Sequence, residues 1–225
     1  MIRAVLAAAL LAAPAAAADR GFPVGAFDRI SVAGSQEVTV ATGHAPSVRA
    51  SGDSEALDRL DIRVEGGVLK IGSKHDAGWS WRNHGPVHVA VTVPMVRGVD
   101  LAGSGSVTID RVKTQDFDGE LSGSGRLSVA AFDADRVQLG VSGSGSATLA
   151  GRCGSMKANL QGSGDLKLAD LRCETISANT AGSGSIAAQA TRTAALSTAG
   201  SGDIHLTGGA RCTVSTAGSG RVNCS

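Results

Sequence analysis

The sequence predicts an all-β fold, a parallel β-helix or β-solenoid of about 18–20 residues per coil behind a β-rich N-terminal cap. Three observations carry this. Gly-Ser-Gly recurs seven times, at Gly103, Gly123, Gly143, Gly162, Gly182, Gly200 and Gly218, in steps of 20, 20, 19, 20, 18 and 18 residues. A period near twenty marks stacked repeats. Apolar residues alternate on both sides of each phrase, as in Val107 and Ile109, Leu127 and Val129, or Val137, Leu139 and Val141. Two alternating runs per period are two strands, each with one face turned inward. Finally, 31 glycines, 3% aromatics and no tyrosine suit thin stacked coils better than a thick core.

From the start, Met1 to Ala18 reads as a secretory signal peptide. Arg3 forms its basic region, Ala4 to Ala13 its apolar region and Ala16-Ala17-Ala18 a small-residue cleavage site. The apolar run is too short for a bilayer span and ends at Pro14, and no later stretch is long and apolar enough. No cysteine stands just after the expected cut, which argues against a lipoprotein anchor. The mature chain is therefore expected to be soluble and exported, to the periplasm or to the cell surface and beyond. Without Arg3 it carries 20 basic and 20 acidic side chains. That balance, with no Lys/Arg run, offers no footprint for nucleic acid or an acidic membrane surface.

Residues 19–100 lack the repeat but read as β. Strands are expected over Phe27 to Val32, Glu37 to Val40, Val48 to Ala50, Leu60 to Val64, Val68 to Ile71 and Val87 to Val93. Glu65-Gly66-Gly67 is a hairpin signal, and Asp53 to Asp58 suits one helical turn. This segment is expected to cover the first coil, because a solenoid needs its open end capped.

A wider pattern joins these pieces. Phe27-x-x-Ile30-x-Val32 is followed by Glu37-Val38-Thr39-Val40, then by Leu60-Asp-Ile-Arg-Val-Glu-Gly-Gly-Val-Leu-Lys-Ile71. Next comes Val89-x-Val91-x-Val93-Pro94, leading into Val99-Asp-Leu-Ala-Gly-Ser-Gly-Ser-Val107. Over about Phe27 to Gly220 the chain resembles the auto-transporter adhesin head domain family of bacterial envelopes, also called the GIN domain. The resemblance implies a β-helical exported protein of adhesin type, and brings no catalytic motif to map onto these residues.

In residues 101–225, antiparallel hairpins would also explain alternating strands and glycine-rich turns. They would not explain why equivalent residues fall on the same columns in every period, whereas stacked coils at about 4.8 Å do. Six and a half such coils make a rod roughly 30 Å long. A flexible Gly/Ser linker is disfavoured by the apolar alternation between phrases.

Four cysteines in an exported chain favour disulfides. Cys153 and Cys173 each lie nine residues before a Gly-Ser-Gly, hence on one column of adjacent coils. Cys212 lies six before Gly218 and Cys224 six after it, on inward columns of the last coils. The expected pairs are Cys153–Cys173 and Cys212–Cys224. No Cys-x-x-Cys suggests redox catalysis.

Chemistry is sparse. His84 and His88, near His75, have a zinc-compatible helical spacing but run into a strand, so solvated loop histidines are the preferred reading. Asp110, Asp116, Asp118, Asp133, Asp135, Asp165, Asp170 and Asp203 are scattered and only faintly echo calcium-binding repeats; corner carboxylates in water are preferred. No metal or cofactor is expected. There is no Gly-x-Ser-x-Gly nucleophile elbow, and a glycosidase pair lacks its aromatic platforms, with Phe117 on an inward column. Thr180, Thr198 and Thr216 form a column whose parity also places it inward. The best binding candidate is the loop holding both tryptophans, with Trp79, Trp81, Arg82, Asn83 and His84; the competing reading is that the tryptophans cover the solenoid end. The functional expectation is a non-enzymatic envelope or surface protein binding a glycan or protein partner. The alternatives are a purely structural envelope component and a polysaccharide-degrading β-helix enzyme.

Overall fold

The computed structural model describes residues 18–74 and 87–225. In chain order the elements are β1 (Ala18–Phe22), β2 (Arg29–Gly34), β3 (Glu37–Thr42), β4 (Ser47–Gly52), α1 (Ser54–Asp58), β5 (Leu60–Glu65), β6 (Val68–Ser73), β7 (His88–Val93) and β8 (Gly98–Gly103). Five strands of about one coil each follow: β9 (Ser106–Gly123), β10 (Arg126–Gly143), β11 (Ser146–Gly162), β12 (Asp165–Gly182) and β13 (Ser185–Gly200). The last elements are β14 (Asp203–Thr207), β15 (Arg211–Gly218) and β16 (Val222–Cys224). Successive coils pair in parallel and in register, Leu127 on Val107 and Val141 on Leu121 for example. This is the expected β-solenoid.

The corner phrase is legible in physical terms. Gly123 has φ +114°, and a Cβ there would sit 2.6 Å from the carbonyl oxygen of Gly103 directly beneath it. Both the left-handed backbone and the close stacking exclude a side chain. In return the corners bond to each other: Ser124 N–H donates to Gly103 C=O at 2.9 Å and Arg126 N–H to Gly105 C=O at 3.0 Å. The same pair of bonds joins the next corner, from Ser144 to Gly123 and from Ser146 to Gly125. No backbone polar group need be stranded at the turn.

Inward columns form one continuous core. Val107, Leu127, Ala147, Leu166, Ile186 and Ile204 stack on one face, and Leu121, Val141 and Leu160 on another, all buried. Each such leucine or isoleucine contributes roughly 1.5–3 kcal/mol by leaving water. The unequal repeat lengths are absorbed between the two faces. Register shifts fall between Val129 and Phe132, opposite Gly151, and between Leu168 and Thr175. The faces that flank each Gly-Ser-Gly therefore keep their columns.

The parallel ladder also runs into the N-terminal segment. β2 pairs with β8 and β3 with β9, around Gly34-Ser35-Gln36, an eighth corner whose third residue is not glycine. β6 and β7 add a further layer on β2 and β3. Only then does direction reverse: β4 is antiparallel to β7, β1 to β4 and β5 to β6. Helix α1 lies over this end, with the Asp53 carboxylate accepting from Glu55 N–H and Ala56 N–H, and with Leu57 buried. The covering expected of residues 19–100 is carried by β1, β4, α1 and β5.

Both expected disulfides are present. Cys153–Cys173 joins residues side by side in the β11–β12 register. Cys212–Cys224 spans the last coil, from the column of Ala194 to the column of Leu206.

Candidate functional site

A groove of about 530 Å³ runs across the coils. One wall is the column Asp116, Arg136, Ser155 and Thr175; the other is Asp118, Gln138, Lys157 and Ser177. Between them lies the backbone of Phe117, Val137, Met156 and Ile176, whose side chains point into the core. This geometry follows from period-two alternation: positions flanking one inward residue both face out, and stacking turns each into a row. The volume is within the range of small-ligand sites, and the lining mixes polar and apolar surface in similar measure.

Its charges are ordered by ion pairs between coils. Arg136 grips Asp116 with two nitrogens, the second bond being 2.8 Å, and holds that carboxyl below the usual carboxylate range. Arg29 reaches Asp118 at 2.9 Å by passing over Gly98 of the intervening strand, where a Cβ would lie 2.8 Å from the guanidinium carbon. The bond raises the Arg29 pKa further. Arg97 stands 3.7 Å from Asp28 at the same end. Lys157 alone among the groove's cations has no acidic partner among the described residues.

Beside the groove, Asp100 and Glu120 are neighbours in one outward column. Burial pushes both carboxyls above the ordinary range; Arg29 partly offsets this for Asp100, whereas Asp118 and Asp100 add to it for Glu120. The column continues through Gly140 to Asn159 and Asn179, whose amides bond at 3.1 Å.

The expected site residues are placed unevenly. Trp79, Trp81, Arg82, Asn83 and His84 lie outside the described residues. The chain leaves them at Lys74 and re-enters at Val87, next to the Gly34-Ser35-Gln36 corner. His88 is not a loop residue: it opens β7 and its Nδ1 lies 3.0 Å from the Glu37 carboxylate. Thr180 and Thr198 are buried as the column parity requires, while Thr216 is exposed on the last coil. Among the described residues no cluster of His, Cys, Asp and Glu has the geometry of a metal site. The corner carboxylates, expected to stand in water, lie at the surface and take part in contacts between coils. Asp116 and Asp203 are exposed and Asp133 is half-buried; each engages an arginine of the next coil, and Asp110 accepts from Thr42 N–H and hydroxyl. The groove itself was not singled out from the sequence. Its signal is an acid followed 20 residues later by a base, Asp116 to Arg136, which column arithmetic reveals.

The comparisons agree with this architecture. Residues 26–210 match the family model described as "Putative auto-transporter adhesin, head GIN domain". A solved structure of a "putative adhesin" from Bacteroides fragilis superposes with a TM-score of 0.88 at 20% identity, over 93% of this chain and 97% of the other. A "putative lipid binding protein" from Parabacteroides distasonis gives 0.73 at 23% identity, over 93% and 96%. A "putative adhesin" from Parabacteroides merdae gives 0.74 at 15%, also over 93% and 96%. At these identities the likeness concerns the fold. No curated protein matches the chain in sequence.

Proposed function

Since this chain belongs to the GIN domain family of adhesin-like head domains, we propose that it is an exported, non-enzymatic envelope or surface protein that binds a glycan in the charged groove. The observation carrying this is the groove's lining: hydroxyls, an amide and an unpaired lysine are arrayed on a rigid backbone floor at the coil spacing. Hydroxyl, amide and ammonium groups match the hydrogen-bonding chemistry of sugars, and a preformed site loses little entropy on binding. Acid catalysis is disfavoured there because Asp116 is held ionised by Arg136 and Asp118 is engaged by Arg29. Two disulfides support an oxidising, extracytoplasmic compartment.

The test is retention of the mature protein on a panel of envelope polysaccharides, with released oligosaccharide read in parallel. Saturable retention without products, lost in Lys157→Ala/Gln138→Ala, supports the reading. Product release overturns it. Retention that survives those substitutions but falls in Trp79→Ala/Trp81→Ala moves the site to the tryptophan segment. Retention by none of the polysaccharides favours a protein partner.

A further inference from the structure

We propose that the C-terminal rim of the solenoid is a homotypic docking edge, on which two copies of this chain pair β15 with β15 antiparallel. The rim is open. β15 pairs only with β13, and nothing among the described residues lies against its other side in the sheet. Columns buried in every earlier coil surface here: Leu196 is 2% exposed and Val214, next in its column, 46%; Thr198 is 1% exposed and Thr216 lies in the open.

Edge strands invite pairing unless they are guarded by charge, proline, bulges or a cover. The other end of the rod is guarded. Its outermost strands carry Asp61, Arg63 and Glu65 on β5 and Asp19 and Arg20 on β1, and α1 adds a cover. β15 has one charge, Arg211 at its first position, followed by six uncharged residues, Cys212 to Ala217, with no proline. Among the described residues the guard is absent at one end only.

The strand is also complementary to itself. Antiparallel partners share a face, so a continuous core requires inward residues to meet inward residues. Centring the two-fold axis on Val214 achieves this, with Val214 on Val214, Cys212 on Thr216, Thr213 on Ser215 and Arg211 on Ala217. No like charges oppose, and the positive-φ corner Gly218 stays outside the paired stretch. Because the guarded end offers no matching edge, association closes at two copies rather than growing into a fibre.

Sedimentation velocity of the mature protein over micromolar to millimolar concentration tests this. The expected result is a concentration-dependent species of twice the monomer mass. Val214→Asp and Val214→Lys should each be monomeric, with a thermal transition matching the wild-type monomer because the residue is exposed. An equal mixture of the two should recover the dimer through an Asp–Lys pair across the axis. Wild type that stays monomeric throughout, variants that dimerise as well as wild type, or a mixture that recovers nothing would each overturn the proposal.

Discussion

The two ends of the rod solve the same problem by opposite means. At the N-terminal end the chain reverses direction, and antiparallel strands β4, β1 and β5 with helix α1 close the core under charged edges. At the C-terminal end no described residue covers the last coil, and the Cys212–Cys224 disulfide crosses it. A reversed strand and a helix bury new apolar side chains such as Leu57 and satisfy backbone groups. A disulfide does neither: it restrains the unfolded coil and leaves the edge exposed. One end is sealed by packing, the other pinned by a covalent bond.

The largest expected effect comes from the corners between these ends. Gly143 has φ +116° and would bring a Cβ 2.5 Å from the Gly123 carbonyl oxygen, so Gly143→Ala is expected to cost roughly 4 kcal/mol or to prevent folding. Gly34→Ala, at the N-terminal corner, meets the movable Gln36 side chain instead and should cost about half as much. Urea unfolding of both variants gives the difference, and equal losses would show that corner stacking is not the deciding term.

Next come the end devices. Leu57→Ala, which empties the helix contact sealing the N-terminal end, should cost about 3 kcal/mol in global stability. Removing Cys153–Cys173 as a Ser pair should lower global stability by a similar amount, about 3 kcal/mol. Removing Cys212–Cys224 should instead fray the last coil while leaving the main unfolding transition nearly in place, which calorimetry with limited proteolysis distinguishes.

The smallest effect is electrostatic. Glu120 titrates above its ordinary range when folded, so its ionised form destabilises the fold at neutral pH. Stability from this group falls as pH rises from the unfolded value, about 4.3, through the folded one. Glu120→Gln should therefore stabilise by about 0.5 kcal/mol at pH 7 and by nothing near pH 3. Asp116 has the opposite sign: its depressed pKa means that the Arg136 pair supports the fold above the unfolded carboxylate value and is lost as pH falls.

How much of this was readable in advance follows from what repetition exposes. Period and parity located the coils, the inward Thr180 and Thr198, and both cysteine pairs, because stacking converts sequence offsets into neighbours. The Gly34-Ser35-Gln36 corner escaped the same search, since Gln36 replaces the third glycine and tucks its own buried amide against Gly34. The parallel pairing of β2 and β3 with the repeat coils went unread with it. The groove was hidden differently. Asp28, Arg97 and Arg29 meet Asp116 and Asp118 only through the winding of a segment that lacks the repeat, and the step from Arg29 across Gly98 leaves no fixed spacing to detect.

The measurement that most directly tests the contrast between the ends is coil-resolved amide hydrogen exchange on dilute mature protein, wild type against Cys212→Ser/Cys224→Ser. A packed end and a pinned end predict slow exchange from β2 and β6 through β12. Exchange should be progressively faster in β13 and fastest in β14, β15 and β16, with loss of the Cys212–Cys224 disulfide accelerating those last strands and leaving β2 and β6 unchanged. Uniform protection along the rod, or fraying that begins at β2 and β6, would contradict it.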